Sequence, residues 1–196
     1  MGTTMTLREA LFLLAHHPSG RPRIPHYVLE AGLAAAALME LRHLGAIEVT
    51  GDGHVVVRSP SPGGGDPLLE RLLRQLTEGP PRRPHELLPE LGGDVEQVTL
   101  TALVSRGHCR LDAEAHLVAV GTAGHRDDAR NAMKNGAGDL GALVWATELS
   151  GHVLGPAALV TRLRLGRQAA GDPLALAVRQ VVPLTATRFD SNPGLS

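Results

Sequence analysis

The sequence contains one cysteine, one lysine and only four aromatic residues among its 196 positions. A single cysteine excludes an intrachain disulfide and gives no sign of an oxidising compartment. Because aromatic side chains are scarce, the core has to be built from Leu, Val and Ala, which favours closely packed helices. With a formal net charge of -1, the chain lacks the strong positive field on which sequence-independent DNA binding depends.

Long apolar runs and recognisable catalytic motifs are also missing. No stretch reaches the roughly 20 apolar residues of a membrane span, and the first residues lack a signal-peptide pattern. Gly63-Gly64-Gly65 lacks the lysine of a phosphate-binding loop, and there is no nucleophile elbow. The sequence therefore predicts a cytoplasmic protein without catalytic residues or a cofactor, which could touch the inner membrane surface only peripherally.

What is present is a helix that runs directly into a hairpin, between Pro25 and Arg58. Apolar residues at spacings of three and four indicate a buried amphipathic helix, and Gly45 ends it in the position of a left-handed cap. The period then changes to two, which predicts a hairpin from Ile47 to Val57. The helical stripe consists of Leu33, Ala36, Ala37, Leu41 and Leu44.

The same pattern returns about sixty residues later, as in a repeated supersecondary unit. Gly107 then takes the place of Gly45, and the second hairpin is predicted from Cys109 to Val120. The sequence thus predicts a mainly α fold, with a single helical domain over residues 1–190 and two short hairpins that each follow a helix. Residues 191–196 are expected to form a disordered tail.

Prolines and aspartates predict where the other helices begin and end. Asp66 followed by a proline starts one helix. Pro89 is expected to end a short helix, so that Asp94 caps a separate one. The apolar residues between 140 and 154 predict a helix through the middle of the fold, and Pro183 is expected to break the last helix.

Four arginines in two proline-rich loops are the candidate sites for an anion. Arg21 and Arg23 precede the central helix, and Arg82 and Arg83 lie in a second loop. Basic loops beside a helix can contact a phosphate or a lipid headgroup, whereas the simpler interpretation is a solvated loop.

The histidines and the cysteine form two sets of candidate metal ligands. Neither available set has a helical pair of ligands four residues apart with a glutamate, nor the paired cysteines of a zinc site, so no metal site is predicted. Scattered surface histidines and a buried, unreactive Cys109 are the simpler interpretation. The two sets are His16 and His17 with His26, and His108 and Cys109 with His116.

A succession of six segments points to a family. They are LREALFLLA, AGLAAAALMELRHLGAIEV, DPLLERLL, LVSRGHCRL, ALVWATELSGHVL and DPLALAV. In this order, over nearly the whole chain, they resemble the Golgi phosphoprotein family in its bacterial branch. The resemblance implies a mostly helical domain with hairpins and no known catalysis. It also implies an adaptor that binds membranes peripherally, in eukaryotic members through phosphatidylinositol 4-phosphate.

This sequence does not keep the residues of the headgroup pocket that the resemblance implies. Its tryptophan aligns with Pro25 and its first arginine with Ala34, and the other two arginines align with Gly93 and Glu96. A phosphomonoester needs several converging donors, and the carboxylate of Glu96 would oppose it. We therefore expect at most weak attraction to anionic lipids, without preference for the inositol lipid.

The resemblance also implies self-association through the second hairpin. Apolar residues that a projecting hairpin would leave uncovered are Leu111, Leu117, Val118 and Val120. We therefore expect a homo-oligomer, with another protein as a further candidate partner.

The alternative function is a tandem winged-helix nucleic-acid reader. A helix followed by a hairpin also occurs in that class, but the helix that enters the first hairpin offers Ala34 to Ala37 where base-reading side chains would be needed. Nucleic acid is therefore not the expected partner.

Overall fold

The computed structural model describes residues 5–61, 65–114, 116–121, 138–154 and 159–190, together with residues 124, 127 and 131. Side chains are described as far as residue 181. These residues form eight helices and two antiparallel hairpins, which confirms the mainly α class with a hairpin after each of two helices. The predicted tail at 191–196 lies outside the described residues. In chain order the elements are α1 (Leu7–Ala15), α2 (His26–His43), β1 (Ile47–Val49), β2 (Val55–Val57), α3 (Pro67–Glu78), α4 (Pro84–Ser105), β3 (Cys109–Leu111), β4 (Leu117–Val120), α5 (Gly138–Ala146), α6 (Ser150–Leu154), α7 (Leu159–Ala170) and α8 (Pro173–Asp190).

Helix α2 is the centre of the fold. Every residue from Val28 to Leu41 except Glu30 and Glu40 is buried, and the helix packs against α1, α4, α5 and α8. The predicted amphipathic stripe is therefore too narrow, and Leu44, which was expected in it, is 45% exposed. A helix enclosed on all sides must be approached closely by its neighbours, and the alanines of α2 allow this.

Helix α4 corrects the expectation of two helices separated at Pro89. It runs without interruption from Pro84 to Ser105, with Pro89 inside it. The helix continues through Pro89 because α4 packs closely against α2 at Gly92. A β-carbon added at Gly92 would lie 2.8 Å from the β-carbon of Glu30. This close contact along α2 outweighs the hydrogen bond that the proline removes.

The C-terminal half also differs from the sequence expectations. The stretch 140–154 is two helices, α5 and α6, because Glu148 takes a left-handed conformation with φ of 62°. Helix α8 continues past Pro183 to Asp190, since a proline removes one hydrogen bond but leaves those on either side. The start of α8 is fixed to α2, where Arg42 donates to Asp172 at 2.6 Å. Asp172 also caps α8 by accepting from the amide of Leu174.

The two junctions between a helix and its hairpin have the same geometry, as the predicted repeat requires. Gly45 and Gly107 have φ of +67° and +72°, which side-chain-bearing residues rarely adopt. In each junction the amide after the glycine donates to the carbonyl five residues earlier, at 3.0 Å in the first and 2.8 Å in the second. This is the Schellman form of a helix C-terminus.

The hairpins keep the same register up to a bulge. Val49 pairs with Val55 in the first, and Leu111 pairs with Leu117 in the second. An irregularity between Arg110 and Leu111 then shifts the second hairpin by one residue, so that Cys109 pairs with Val120. The predicted repeat is therefore correct in its first strand and displaced in its second.

Buried charges attach α1 to three other helices. Arg8 lies 2.7 Å from Glu40 of α2 and also pairs with Asp66, the N-cap of α3. Glu9 accepts from Arg106 at the end of α4. Burial raises the pKa of Glu40, although the charge of Arg8 opposes that rise. The Arg8 guanidinium thus offsets part of the cost of placing a carboxylate at this depth.

Replacing Arg8 with methionine tests this network. The substitution keeps the apolar stem but leaves Glu40 without its counter-charge, so we expect the free energy of unfolding to fall by about 3 to 5 kcal/mol. Chemical denaturation of both proteins measures it. The matched control is Arg58→Met, which breaks the exposed pair with Glu48 and should leave stability nearly unchanged. Equal effects in the two variants would contradict the assigned role of Arg8.

Candidate functional site

The groove where α4 crosses the first turns of α2 contains three of the four positions aligned with the implied headgroup pocket. Pro25 is the residue before α2, and Gly93 and Glu96 face that helix end from α4. A β-carbon at Gly93 would lie 3.4 Å from Oε1 of Glu30. Ala34 is different, because it is completely buried in the core. Three of the aligned positions therefore lie together at the contact between α2 and α4, and none of them carries a basic side chain.

A set of potential ligands lies in this groove, and we call it the His26–Glu30–Glu96 cluster. Nδ1 of His26 is 3.2 Å from Oε2 of Glu96, and its Nε2 is 3.5 Å from Oε1 of Glu30. The side chains of His26, Glu30 and Glu96 are 72%, 30% and 16% exposed. The cluster thus has an enclosed carboxylate at its base and an imidazole at its mouth.

The groove holds negative charge at an energetic cost. Burial raises the pKa of Glu96; the neighbouring His26 acts against this rise, and the charge of Glu30 adds to it. Oε2 of Glu96 is enclosed, and Nδ1 of His26 contacts it at 3.2 Å. A cation in the groove would relieve this cost, whereas an anion would increase it.

The four predicted arginines lie on different elements. Arg21 and Arg23 are in the loop between α1 and α2, where Arg23 donates to the carbonyl of His16. Arg82 forms two hydrogen bonds with Glu90, at 2.7 and 2.9 Å, and its carbonyl accepts from β2. Arg83 is exposed at the start of α4. Because Glu90 neutralises Arg82, the pair of Arg82 and Arg83 offers an anion less positive charge than the sequence predicts.

The set around Cys109 does not assemble. Cys109 faces the core opposite Val120, and burial raises the pKa of its thiol to about 11, so it stays protonated at neutral pH. His116 lies at the other end of the hairpin, where it contacts Asp112. Cys109 is buried at one end of the hairpin and His116 lies at the other end. Their closeness in the sequence therefore does not bring the two side chains together.

The other histidine set is also divided. His16 is buried, and its Nδ1 is 2.9 Å from the carbonyl of Phe12, whereas His17 contacts Ser19. His26 lies with the two glutamates instead. The set has no two histidines four residues apart, but His26 is four residues from Glu30 on α2. That spacing was the missed signal, and the third member comes from α4.

Comparison with known proteins gives the family. A family model described as Golgi phosphoprotein 3 (GPP34) matches residues 7–185. The chain belongs to the Golgi phosphoprotein 3 family. Among curated proteins, none matches the chain. None of the described helices in this family member combines the length and hydropathy that crossing a membrane requires.

The second hairpin of this Golgi phosphoprotein family member exposes only part of its apolar ribbon. Leu111 and Val118 are 37% and 41% exposed, and Leu117 is half-buried. Val120 is fully buried, which corrects the expectation that it lies on an uncovered surface. The bulge turns it toward the core, and its amide donates to the carbonyl of Pro18. Two exposed residues, Leu111 and Val118, therefore remain as candidates for self-association.

A separate cleft of about 370 Å³ lies between the N-termini of α1 and α3 and the end of α4. Its charged lining includes Arg8 and Arg106, and both are paired with carboxylates. Because these cations are already neutralised, the cleft offers no converging set of free donors for an anion.

The charge state of Glu96 can be tested by pH in metal-free buffer. Its folded pKa is raised above the ordinary value of 4.5, so ionisation costs stability as the pH rises through that range. We expect Glu96→Gln to match the wild type below about pH 4 and to become the more stable protein toward pH 7. Urea denaturation at several pH values measures the difference.

The control for this series is Glu90→Gln. Hydrogen bonding to Arg82 lowers the pKa of Glu90, so its contribution is present at neutral pH and is lost as the pH falls. The control should therefore be slightly less stable than the wild type at pH 7 and equal to it in acid. A pH-independent difference for Glu96→Gln would refute the raised pKa.

Proposed function

We propose that this member of the Golgi phosphoprotein 3 family is a non-enzymatic adaptor-type binding protein that meets membranes only peripherally and does not select phosphatidylinositol 4-phosphate. The observation that carries the proposal is the pair of carboxylates, Glu30 and Glu96, in the groove where the family resemblance implies basic residues. The fold is retained, while the chemistry of its groove is of opposite sign.

The repulsion between charges in this groove outweighs the attraction that nearby basic side chains can supply to a phosphomonoester. Two like charges about 4 Å apart near a protein surface repel by roughly 4 kcal/mol. Each basic side chain close to an anionic membrane contributes only about 1 kcal/mol and is screened by salt. Of the loop arginines, Arg82 is already paired with Glu90. The remaining basic side chains can therefore supply weak, salt-sensitive attraction but not a headgroup pocket.

The adaptor role is supported by apolar surface outside the groove. Leu111 and Val118 of the second hairpin are exposed, and so are Leu159, Val160 and Leu163 of α7. The single thiol is buried and protonated at neutral pH, which removes the one candidate nucleophile that the sequence analysis considered. Exposed apolar side chains without an activated nucleophile fit contact with another protein better than catalysis.

The nucleic-acid alternative loses its basis in the first helix and hairpin unit. A reading helix must place one face in the major groove. Helix α2 has no such face, because Ala34, Ala35, Ala36 and Ala37 are completely buried beneath its neighbours.

Vesicle sedimentation tests the proposed lipid behaviour. In buffer with EDTA, the wild type should bind phosphatidylinositol 4-phosphate and phosphatidylserine vesicles of matched charge equally and weakly, and should be released at moderate salt. Gly93→Arg with Glu96→Arg adds three positive charges inside the groove and should create a preference for the inositol lipid. Tight, salt-resistant binding of the wild type to that lipid alone would overturn the proposal.

The matched control places the same charge on the same helix but outside the groove. Asp94→Arg with Gln97→Arg also adds three positive charges, at two exposed positions of α4. It should increase binding to both vesicle types without creating a preference. If both double variants behave alike, the groove has no special role in headgroup recognition.

Self-association is tested by light scattering at high micromolar concentration. We expect the wild type to exceed the mass of one chain, because pairing through the second hairpin would cover Leu111 and Val118. Leu111→Ser with Val118→Ser should return the protein to a monomer. The control Leu44→Ser changes an equally exposed leucine near the first hairpin and should have no effect. A wild type that is monomeric throughout would contradict this prediction.

A further inference from the structure

Helix α7 presents an apolar surface to solvent. Among the described residues, the three large apolar side chains with the highest exposure belong to this helix: Leu159, Val160 and Leu163 are 63%, 81% and 59% exposed. The other side of α7 is buried, since Leu165 packs against Gly141 of α5. The exposed side chains therefore do not take part in the core.

Arginines lie beside this apolar surface. Leu159 and Leu163 are four residues apart and form one row along α7. The adjacent row begins with Val160 and continues with Arg164 and Arg167, which are both exposed. An apolar row beside a row that ends in positive charge is the pattern of a helix that lies in a membrane interface.

No acidic residue interrupts this basic stretch of the chain. Residues 149–171 contain three arginines and neither Asp nor Glu. The carboxylates that flank the stretch in sequence pair with other arginines, Glu148 with Arg179 and Asp172 with Arg42. In a chain with a formal net charge of -1, positive charge is therefore concentrated around α7.

We propose that α7 lies on an anionic lipid surface, with Leu159, Val160 and Leu163 below the headgroups and Arg164 and Arg167 among them. Long arginine side chains can reach the headgroups while neighbouring aliphatic side chains are buried in the interface. The inference rests on the proposed function, in which the protein meets membranes peripherally, and it names the surface that makes the contact. The second hairpin then remains for contact with protein.

Charge and shape favour a lipid surface over other occupants of this helix face. Two copies of α7 packed together would bring the arginines of both chains close without a carboxylate from either helix, which is unfavourable. At 81% exposure, Val160 projects from the helix rather than lining a groove. A fluid lipid surface accommodates projecting side chains without a complementary pocket, which a folded protein partner would have to supply.

The second hairpin is less suited to such a surface, although it also exposes apolar side chains. Its turn contains Asp112 and Glu114, which an anionic membrane would repel. Helix α7 itself has no aromatic side chain to anchor it, so its small apolar row needs the arginines. Binding through α7 is therefore weak and salt-sensitive.

Sedimentation with vesicles at low ionic strength, in buffer with EDTA, tests the assignment. We expect the wild type to bind phosphatidylserine vesicles and not phosphatidylcholine vesicles. Arg164→Gln with Arg167→Gln should weaken binding about fivefold for each arginine. Leu159→Ser with Leu163→Ser should weaken binding about tenfold or more. All four positions are exposed, so both double variants should fold.

The matched control removes the same charge from another helix. Arg71→Gln with Arg74→Gln changes two exposed arginines that are also three residues apart, on α3. Glu70 and Glu78 lie on the same helix, so α3 offers an anionic surface little net charge. The control should bind phosphatidylserine vesicles nearly as the wild type does. Equal weakening by the two arginine pairs would mean that only net charge matters, and would overturn the proposal.

A fluorescent label tests insertion directly. Leu163→Cys provides one reactive thiol, because Cys109 is buried and burial raises its pKa to about 11. An environment-sensitive dye on this thiol should shift to the blue when phosphatidylserine vesicles are added, whereas the same dye on Leu44→Cys should not. A shift that appears without vesicles as the protein concentration rises would indicate a second copy instead, and would refute the proposal.

The two proposals fail in different ways. A wild type that prefers phosphatidylinositol 4-phosphate overturns the proposed lack of selectivity, whatever the α7 variants do. A wild type that binds phosphatidylserine vesicles no better than its α7 variants overturns only the assignment of α7. If the wild type binds no vesicles, the membrane contact of α7 is wrong, and an acidic protein becomes the partner to seek.

Discussion

Close approach to helix α2 is the constraint on which the rest of the structure depends. Alanine and glycine occupy much of its surface, and neighbouring elements touch its backbone region directly. At Gly32 an added β-carbon would lie 2.7 Å from Thr147 and 3.1 Å from Leu11. At Gly92 of α4, the corresponding contact is with Glu30. Interhelical distances are set by the side chains at the contact, so small residues here determine how closely the helices that contact α2 approach it.

The same constraint creates the groove. Because Gly92 and Gly93 bring α4 onto the first turns of α2, side chains on the two helices are forced together at the rim of the contact. In this chain those side chains are an imidazole and two carboxylates. A fold can be shared while the chemistry of a site changes, since packing and ligand binding depend on different residues.

Local signals in the sequence predicted local structure well. Gly45 and Gly107 marked both helix ends, and the alternation after them marked both hairpins, because these features depend on neighbours in the chain. The prediction that Pro89 ends a helix was wrong, because the packing of α4 on α2 offsets the local cost of a proline inside a helix. The alignment singled out Pro25, Gly93 and Glu96, which lie near one another where α4 crosses α2. It could not predict the cluster, since Glu30 acquires its role only when α4 crosses α2.

The enclosure of α2 has a consequence for how the protein is made. Its apolar sides are covered in part by α8, and the bond from Arg42 to Asp172 joins residues 130 positions apart. At about 5 to 20 residues per second, a ribosome needs roughly 7 to 26 s to synthesise that interval. Throughout this time α2 has left the ribosome without its last neighbour. The nascent chain therefore passes through a period in which its central helix is open to aggregation or to a chaperone.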